Sequence, residues 1–194
     1  MKRYYITDRI QVGGVEALLE SIRRNLVAGA DMIQIREKDL SARELTALVR
    51  SAAALPNPRN VPLLVNDRVD IAVAAGLAGV HLPSSAMPPA EVRRITGRPW
   101  IIGVSCHTVD EVQRAALEGA DFVVFGPVFA PLSKTSYSAP KGLSGLEEAA
   151  RCSPLPIYAL GGITPGNAVD CIRAGAAGIA GITMFQLPGC TLAH

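Results

Sequence analysis

A short phrase that recurs four times along the chain constrains its fold more than any other feature. In each copy a glycine follows Ala or Glu, a helical pattern precedes it, and a short apolar run typical of a buried strand comes after it. The copies begin at Ala28, Ala75, Glu118 and Ala174. Glycine suits the position just past a helix end, because it adopts the left-handed conformation without steric cost. Each copy therefore indicates a helix followed by a strand.

The other apolar patterns extend this alternation over the whole chain. Strands are predicted near residues 3–7, 31–37, 61–65, 79–82, 100–104, 121–125, 156–160 and 178–182. Helices are predicted near residues 15–28, 41–54, 68–75, 88–97, 108–118, 143–152 and 165–174. Eight strands alternating with helices favour an α/β fold of the (β/α)₈ TIM-barrel type, and the alternative is an open, doubly wound sheet. A length of 194 residues fits a single domain, 1–194.

The eighth helix of such a barrel is missing or truncated in the sequence. The twelve residues after Ile182 are interrupted by Pro188 and Gly189, so they are too short and too broken for a full helix. An uncovered side of the barrel would expose apolar surface. We therefore expect either a partner subunit, in a homodimer, or the C-terminal tail to cover it.

The loops after the seventh and eighth strands carry the signature of a phosphate site. Gly161 and Gly162 end the seventh strand, and Thr164 is predicted to cap a helix whose first residue is Pro165. Barrels of this type bind phosphate at these two loops, where backbone N–H groups approach the anion closely. The N–H groups of Ile182 and Thr183 would complete the cradle. A plain connection from strand to helix is the alternative.

A row of polar side chains follows the second strand. The two-residue period of a strand places Gln34, Arg36 and Lys38 on one face, which would point into and above the barrel. A cation there is costly unless an anion or a carboxylate meets it. The row therefore predicts an anionic ligand, and the alternative is an internal salt bridge to Asp67 or Glu37.

Further candidate site residues follow the third and fifth strands. Asn66 and Asp67 end the third strand, and Ser105 and His107 end the fifth, just before Thr108, a plausible N-cap for the helix from Val109. His107 is the one histidine predicted at the rim, since His81 lies inside a strand and His194 is the last residue.

A long loop follows the sixth strand. It spans residues 130–142 and contains Ser133 and Lys134. Loops of this length in compact domains commonly fold over a ligand, which would bring Lys134 to an anion. An ordinary surface loop is the alternative.

Charge and cysteine usage exclude several classes of function. A net charge of +2, from 19 basic and 17 acidic residues, gives no general surface for nucleic acid. The longest apolar runs stay well short of a membrane span. Cys106, Cys152, Cys171 and Cys190 show neither CxxC pairing nor metal-ligand spacing. We therefore expect reduced thiols and a cytoplasmic protein.

Taken together, the motifs resemble one family, the thiamine phosphate synthase and thiazole tautomerase (TenI-type) superfamily of (β/α)₈ barrels. The matching segments are residues 5–8, 34–39, 66–68, 80–82, 103–107, 125–129, 133–134, 142–143 and 161–165. The resemblance implies a small-molecule thiazole phosphate substrate, with its phosphate near Gly161, Gly162 and Thr183. In the synthase branch it implies that the pyrimidine and its pyrophosphate are handled at the positions of Gln34, Arg36, Lys38, Asn66 and Lys134.

One departure separates the branches of this family. Synthases carry Gly-Gln-Glu-Asp after Val-His-Leu, and the last aspartate holds Mg²⁺ together with the aspartate that matches Asp67. Here Pro-Ser-Ser-Ala follows Val-His-Leu, so Ala86 stands in place of the second carboxylate. This segment resembles the tautomerase branch, whereas the basic row and Lys134 resemble the synthase branch.

The main functional hypothesis from the sequence is a TenI-type thiazole tautomerase. His107 would be its general base, no cofactor would be needed, and the thiazole carboxylate phosphate tautomer would be isomerised to its aromatic form. The competing interpretation of His107 is a helix-capping residue, since synthases carry a histidine there too. One functional alternative is a thiamine phosphate synthase that uses Mg²⁺ and Lys134. The other is a non-catalytic, phosphate-binding regulatory barrel.

Overall fold

Eight parallel strands form a closed barrel in the computed structural model, which describes residues 1–97, 99–130 and 139–186. The strands are β1 (Lys2–Ile6), β2 (Met32–Ile35), β3 (Leu63–Asn66), β4 (Gly79–Leu82), β5 (Ile101–Cys106), β6 (Phe122–Phe125), β7 (Ile157–Ala159) and β8 (Gly178–Gly181). Each strand pairs with the next along the chain, and β8 pairs with β1. The predicted (β/α)₈ barrel is confirmed, and the open sheet is excluded.

Helices surround the barrel between successive strands. They are α1 (Arg9–Val12), α2 (Val15–Arg24), α3 (Ala42–Ala53), α4 (Val69–Ala74), α5 (Pro89–Thr96), α6 (Val109–Leu117), α7 (Gly142–Arg151), α8 (Ala168–Arg173) and α9 (Thr183–Gln186). A π-helical turn, Asn25–Gly29, continues α2. None of the helices in the described part of the chain has the length and apolar character needed to cross a bilayer.

The strand period of two divides the apolar residues into two clusters. One fills the barrel interior and consists of Tyr4, Ile6, Met32, Leu64, Phe122, Val124 and Ala180. The other, larger cluster lies between strands and helices, with Ile33 and Ile35 of β2 completely buried in it. The isoleucines of β2 therefore pack beneath the helices, and Gln34 between them points into the barrel.

Local capping explains where several helices begin. The Ser41 hydroxyl accepts from the Glu44 N–H of α3, and the Glu44 side chain accepts from the Ser41 N–H, which makes a capping box. The Thr108 hydroxyl accepts from the Glu111 N–H at 3.2 Å, so the predicted N-cap of α6 is confirmed. These side chains satisfy N–H groups that the first helical turn leaves without partners.

The start of α8 differs from the prediction. Thr164 does not cap a helix that begins at Pro165, because a turn intervenes and α8 begins at Ala168. The Asn167 side chain accepts from the Thr164 N–H at 2.8 Å and donates to the Gly162 carbonyl at 3.0 Å. These bonds stabilise the turn in place of a first helical turn. The resulting helix has six residues, so it contributes little dipole to the predicted phosphate cradle.

A four-residue helix, α9, stands where a longer eighth helix would be expected within the described residues. Buried Gln186 connects α9 to the start of the chain: its Oε1 accepts from the Tyr5 hydroxyl at 3.0 Å and from the Asp8 N–H at 2.8 Å. Its Nε2 donates to the Asp8 carbonyl and to Gln11 Oε1. The Phe185 ring stacks on Tyr5 at 5.5 Å. The truncated helix is therefore held by β1 and α1, although the tail beyond residue 186 lies outside the described residues.

The tight interior predicts a large cost for adding one methyl group at Gly103. A Cβ there would meet the Phe122 ring and lie 2.6 Å from His81 Nδ1, and both side chains are buried. We expect Gly103→Ala to lower the free energy of unfolding by about 2 to 3 kcal/mol through overpacking. Urea denaturation followed by circular dichroism would measure it.

Gly166→Ala is the matched control, because its Cβ would meet nothing nearer than the Thr164 Oγ1 at 3.8 Å. We expect that variant to unfold within about 0.5 kcal/mol of the original protein. Equal stabilities for the two variants would contradict the packing described for the barrel interior.

Candidate active site

A chain of hydrogen bonds crosses the barrel interior from β2 to β5. Gln34 Nε2 donates to the Tyr4 hydroxyl at 2.9 Å, and that hydroxyl lies 3.2 Å from His81 Nδ1. His81 Nε2 lies 2.9 Å from Ser105 Oγ. Gln34, Tyr4 and His81 are each at most 2% exposed, whereas Ser105 is half-buried. The chain therefore runs from the sealed interior to the rim.

Burial keeps the members of this chain uncharged. It lowers the pKa of His81 to about 3, with a further contribution from the Arg36 cation. It also raises the pKa of the Tyr4 hydroxyl far above its usual value, against the opposing effect of the Gln34 hydrogen bond. The His81 imidazole is therefore neutral at physiological pH, with one nitrogen that donates and one that accepts.

Arg36 and Lys38 stand at the rim without an internal counterion in the described residues. Arg36 is half-buried and Lys38 is exposed, and neither has a carboxylate within salt-bridge distance there. The predicted alternative, a salt bridge to Glu37 or Asp67, is wrong for this part of the chain. The Glu37 carboxylate instead accepts hydrogen bonds from the Thr7 hydroxyl at 2.6 Å and from the Arg9 N–H at 3.0 Å.

Glu37 holds the start of α1 against the end of β2. Besides these hydrogen bonds, its carboxylate lies 3.7 Å from the Arg9 guanidinium, and burial raises its pKa above the usual range. The Thr7 hydroxyl also accepts from the Arg36 N–H at 2.9 Å. Glu37 therefore serves the architecture of the rim, and the positive charges of Arg36 and Lys38 stay available to a ligand.

A cavity of about 270 Å³ opens beside Lys38. Asn66, Asp67 and Arg68 line it at the end of β3, and Pro83 lines it after β4. The register of β2 and β3, Ile35 against Val65, places Arg36 level with Asn66. The structure thus brings Lys38 together with Asn66 and Asp67 in this cavity, whereas Gln34 lies in the sealed barrel interior.

The donors around Asp67 are too few for a metal site. Asp67 is exposed, with a φ of 62° that lies in the left-handed region, and its N–H donates to the His81 carbonyl at 2.9 Å. Ala86 packs against the apolar cluster outside the barrel, where a second carboxylate is expected in a synthase. Within the described residues no three His, Cys, Asp or Glu side chains are grouped to hold a metal ion. The described side chains alone therefore do not fit Mg²⁺.

His107 follows β5 directly and is held by the neighbouring strand. Its Nδ1 lies 2.7 Å from the Gly126 carbonyl oxygen, which can only accept, so Nδ1 carries the proton. The Glu111 carboxylate accepts from the His107 N–H. In this tautomer Nε2 is the nitrogen with the free lone pair. The side chain thus has the tautomer required of a general base, while its backbone belongs to the start of α6.

The loop after β7, where the sequence predicts a phosphate cradle, contains two glycines in the left-handed region. Gly161 and Gly162 have φ values of 97° and 60°, and a Cβ on Gly161 would lie 2.6 Å from Pro127 Cβ. Among the described residues, neither glycine N–H has a hydrogen-bond acceptor. Continuing the register of β7 and β8 sets Gly162 level with Ile182. Thr183 starts α9, and its hydroxyl accepts from Gln11 Nε2 at 3.0 Å.

Two residues of the barrel interior were not predicted as site residues from the sequence, and two predicted site residues lie outside the described residues. Ser133 and Lys134 lie outside the described residues, so their predicted roles remain predictions. Tyr4 and His81 were not predicted as site residues, although both occupy inward positions of their strands. The signal was available: His81 is a polar residue in a strand that is otherwise apolar, and its inward register follows from the period of two.

Comparison with known proteins identifies the family. The thiamine monophosphate synthase family (TMP-TENI) matches residues 3–185. The putative thiamine-phosphate synthase of Geobacter sulfurreducens is 45% identical over 91% of this chain and 83% of that protein. The thiamine-phosphate synthase of Roseiflexus castenholzii is 43% identical over 93% of this chain and 78% of that protein.

Solved structures agree with these relatives. A thiamine phosphate pyrophosphorylase from Pyrococcus furiosus has a TM-score of 0.83 and 32% identity, covering 96% of this chain and 88% of that chain. A 3-hexulose-6-phosphate synthase, at 19% identity and a TM-score of 0.69 over 95% of this chain and 91% of that chain, shares the fold. The family match thus includes the rim described above and all but the first residue of β1 and the last residue of α9. The chain belongs to the thiamine monophosphate synthase family.

Proposed function

We propose that the protein is a thiamine-phosphate synthase, which joins hydroxymethylpyrimidine pyrophosphate to thiazole phosphate and releases pyrophosphate. This reverses the order of the two hypotheses drawn from the sequence. The names of the relatives favour the synthase, and none of those quoted above is a tautomerase. Acting on thiazole phosphate in thiamine biosynthesis is common to both hypotheses.

The observation that carries this proposal is the pair of uncompensated cations at the rim. Arg36 and Lys38 have no carboxylate partner among the described residues, and Asn66 adds an amide at the same level. A half-buried guanidinium without a counterion is unfavourable until an anion binds. A pyrophosphate group offers the several negative oxygens that these donors require. A single phosphate on the thiazole is already provided for at Gly161 and Gly162.

The reaction assigns distinct tasks to these groups. Arg36 and Lys38 would stabilise the negative charge that develops on pyrophosphate as its bond to the pyrimidine methylene carbon breaks. The electron pair of that bond leaves with pyrophosphate, and the thiazole nitrogen then donates its lone pair to the methylene carbon. The free N–H groups of Gly161 and Gly162 would hold the thiazole phosphate close enough for that attack.

Mg²⁺, which the synthase branch implies, finds two carboxylates in the described lining of the cavity, Asp67 and Glu37, and Glu37 is already engaged by Thr7 and Arg9. Asp67 alone makes a weak site, because Mg²⁺ prefers a full octahedron of oxygen ligands. The remaining ligands would have to be water and the substrate's own phosphate oxygens. No step of the mechanism described here therefore depends on a metal ion held by this chain.

The test of the proposed function compares two reaction mixtures. Purified protein receives either both synthase substrates, with and without Mg²⁺, or the non-aromatic thiazole tautomer, and chromatography identifies the products. We expect thiamine phosphate to form in the first mixture. Lys134→Ala should reduce that rate about a hundredfold by removing a cation from the leaving group, while His107→Ala should change it only a few fold.

The opposite pattern would contradict the proposal. If only the tautomer is consumed, independently of Mg²⁺, and His107→Ala abolishes that turnover, the protein is a tautomerase. Tight binding of thiazole phosphate without turnover in either mixture would instead point to the non-catalytic, regulatory barrel.

The tautomerase remains the second candidate because of two specific observations. His107 is held by Gly126 in the tautomer that leaves Nε2 basic, which is the form a general base needs. The sequence Val-His-Leu-Pro-Ser at residues 80–84 resembles the tautomerase branch, and Ala86 stands where a synthase carries its second metal carboxylate. That activity would require no cofactor.

Restoring the second carboxylate provides a further prediction. In a synthase, Ala86→Asp should lower the Mg²⁺ concentration for half-maximal rate about tenfold, since two carboxylates bind the ion better than one. Ser85→Asp is the matched control, because it adds the same charge to an exposed position of the same loop. A magnesium titration of the initial rate measures both variants. Equal effects of the two substitutions would contradict a metal site at Asp67 and residue 86.

The assembly and location of the protein also belong to the proposal. We propose a cytoplasmic homodimer in which the side of the barrel near the short helix α9 is covered by the partner subunit. Support comes from the four-residue length of α9 and from Cys106, Cys152 and Cys171, which form no disulfide among the described residues. Small-molecule phosphates would be its ligands, with neither nucleic acid nor membrane as a partner.

A further inference from the structure

The hydrogen bonds of the interior chain all donate in the same direction, from Gln34 through Tyr4 and His81 to Ser105 at the rim. Gln34 presents its amide nitrogen, a donor, to the Tyr4 oxygen at 2.9 Å. The Tyr4 hydroxyl thus accepts from Gln34, and its single proton is free for the other neighbour, His81 Nδ1 at 3.2 Å. Nδ1 must then be the accepting nitrogen of the imidazole.

The same reasoning continues from His81 to Ser105. A neutral imidazole whose Nδ1 accepts carries its proton on Nε2, and this proton points at Ser105 Oγ, 2.9 Å away. The burial of the ring keeps it neutral, so both nitrogens cannot donate at once. Ser105 already accepts from His81, and its own hydroxyl proton has no acceptor among the described residues, so that proton is available to a ligand.

The surroundings of Ser105 indicate what that partner is. Ser105 is half-buried near the end of β5. The other three members of the hydrogen-bond chain, Gln34, Tyr4 and His81, are buried away from solvent. The Arg36 cation contributes to the lowered pKa of His81, and Arg36 has no carboxylate partner in the described residues. A ligand atom that accepts the Ser105 proton is most stable when it is an anionic oxygen, because hydrogen bonds to charged acceptors are stronger than those to neutral ones.

We propose that Tyr4 and His81 are positioning residues that order these hydrogen bonds, so that Ser105 donates its hydroxyl proton to an anionic oxygen of the substrate's pyrophosphate. This inference rests on the proposed synthase function. It assigns a role to two residues that do not touch the substrate themselves. Reversal of the chain, with the Gln34 amide oxygen toward Tyr4, would leave Ser105 as an acceptor that repels the same anion.

The experiment is a double-mutant cycle on the binding of inorganic pyrophosphate at one fixed Mg²⁺ concentration, measured by calorimetry. Ser105→Ala should raise Kd about tenfold, the effect of losing one hydrogen bond to a charged group. Tyr4→Phe keeps the ring between Phe122 and Tyr158 but removes the hydroxyl that holds the His81 tautomer, so it should raise Kd about threefold.

The double variant distinguishes positioning from a general structural effect. If Tyr4 acts through Ser105, Tyr4→Phe should add nothing once Ser105 is alanine. A merely structural role would weaken binding by the same factor in both backgrounds. Fully additive effects, or no effect of Ser105→Ala, would overturn the inference.

Two variants of His81 provide the rescue test. In His81→Gln the side-chain amide can place an N–H donor near the position of Nε2, so we expect Kd within about twofold of the original. His81→Leu fills similar space without a donor and should weaken binding about as much as Ser105→Ala. Thermal unfolding establishes that each variant is folded, and equal affinities of folded Gln and Leu variants would overturn the inference.

The proposed function is judged separately. Thiamine phosphate formation by the original protein decides whether it is a synthase, whereas the cycle is measured on pyrophosphate binding alone. If the protein forms thiamine phosphate but Tyr4→Phe and Ser105→Ala act additively on pyrophosphate binding, only the positioning role is overturned. A coupled cycle without turnover would support the positioning role and remove the synthase assignment.

Discussion

Closure of eight parallel strands into a barrel is the constraint on which the rest of the structure depends. Every strand must send alternate side chains inward, and the interior has room for only one filled core. Aromatic rings occupy much of it: Tyr4 lies edge-on to Phe122 at 5.4 Å, and Gly103 is a glycine because that ring and His81 fill the space beside it. Polar groups that point into this core need partners there. The chain from Gln34 to Ser105 satisfies that requirement and delivers a hydroxyl to the rim.

The barrel thus separates two kinds of chemistry along its axis. Its interior keeps Tyr4 and His81 uncharged by burial, whereas its rim keeps Arg36 and Lys38 charged and without a carboxylate partner among the described residues. Glu37 makes this separation possible, because its carboxylate is occupied by Thr7 and Arg9 instead of neutralising the rim. In the proposed synthase, the pyrophosphate leaving group would supply the negative charge that these two cations can bind.

Much of the fold followed from the sequence, because strand period and helix-ending glycines are local signals. The eight strands, the isoleucines packed beneath the helices and the Thr108 cap depend on residues that are neighbours in the chain. Features that join distant segments could not be predicted in the same way. The start of α8 was displaced by Asn167 bonds within a turn, and the partner of Glu37 proved to be Arg9, 28 residues away. Likewise, the role of His81 required the positions of Tyr4, 77 residues earlier, and Ser105, 24 residues later.

The most direct test of this account is the protonation state of the two described histidines, measured by ¹⁵N chemical shifts between pH 5 and 8. Imidazole nitrogens with and without a proton differ strongly in shift, so each tautomer can be read separately. The account predicts that His81 stays neutral over this range, with its proton on Nε2, since burial lowers its pKa to about 3. It predicts that the neutral form of His107 carries its proton on Nδ1, facing Gly126. A His81 that titrates within this range, or that carries its proton on Nδ1, would contradict the directed chain from Gln34 to Ser105.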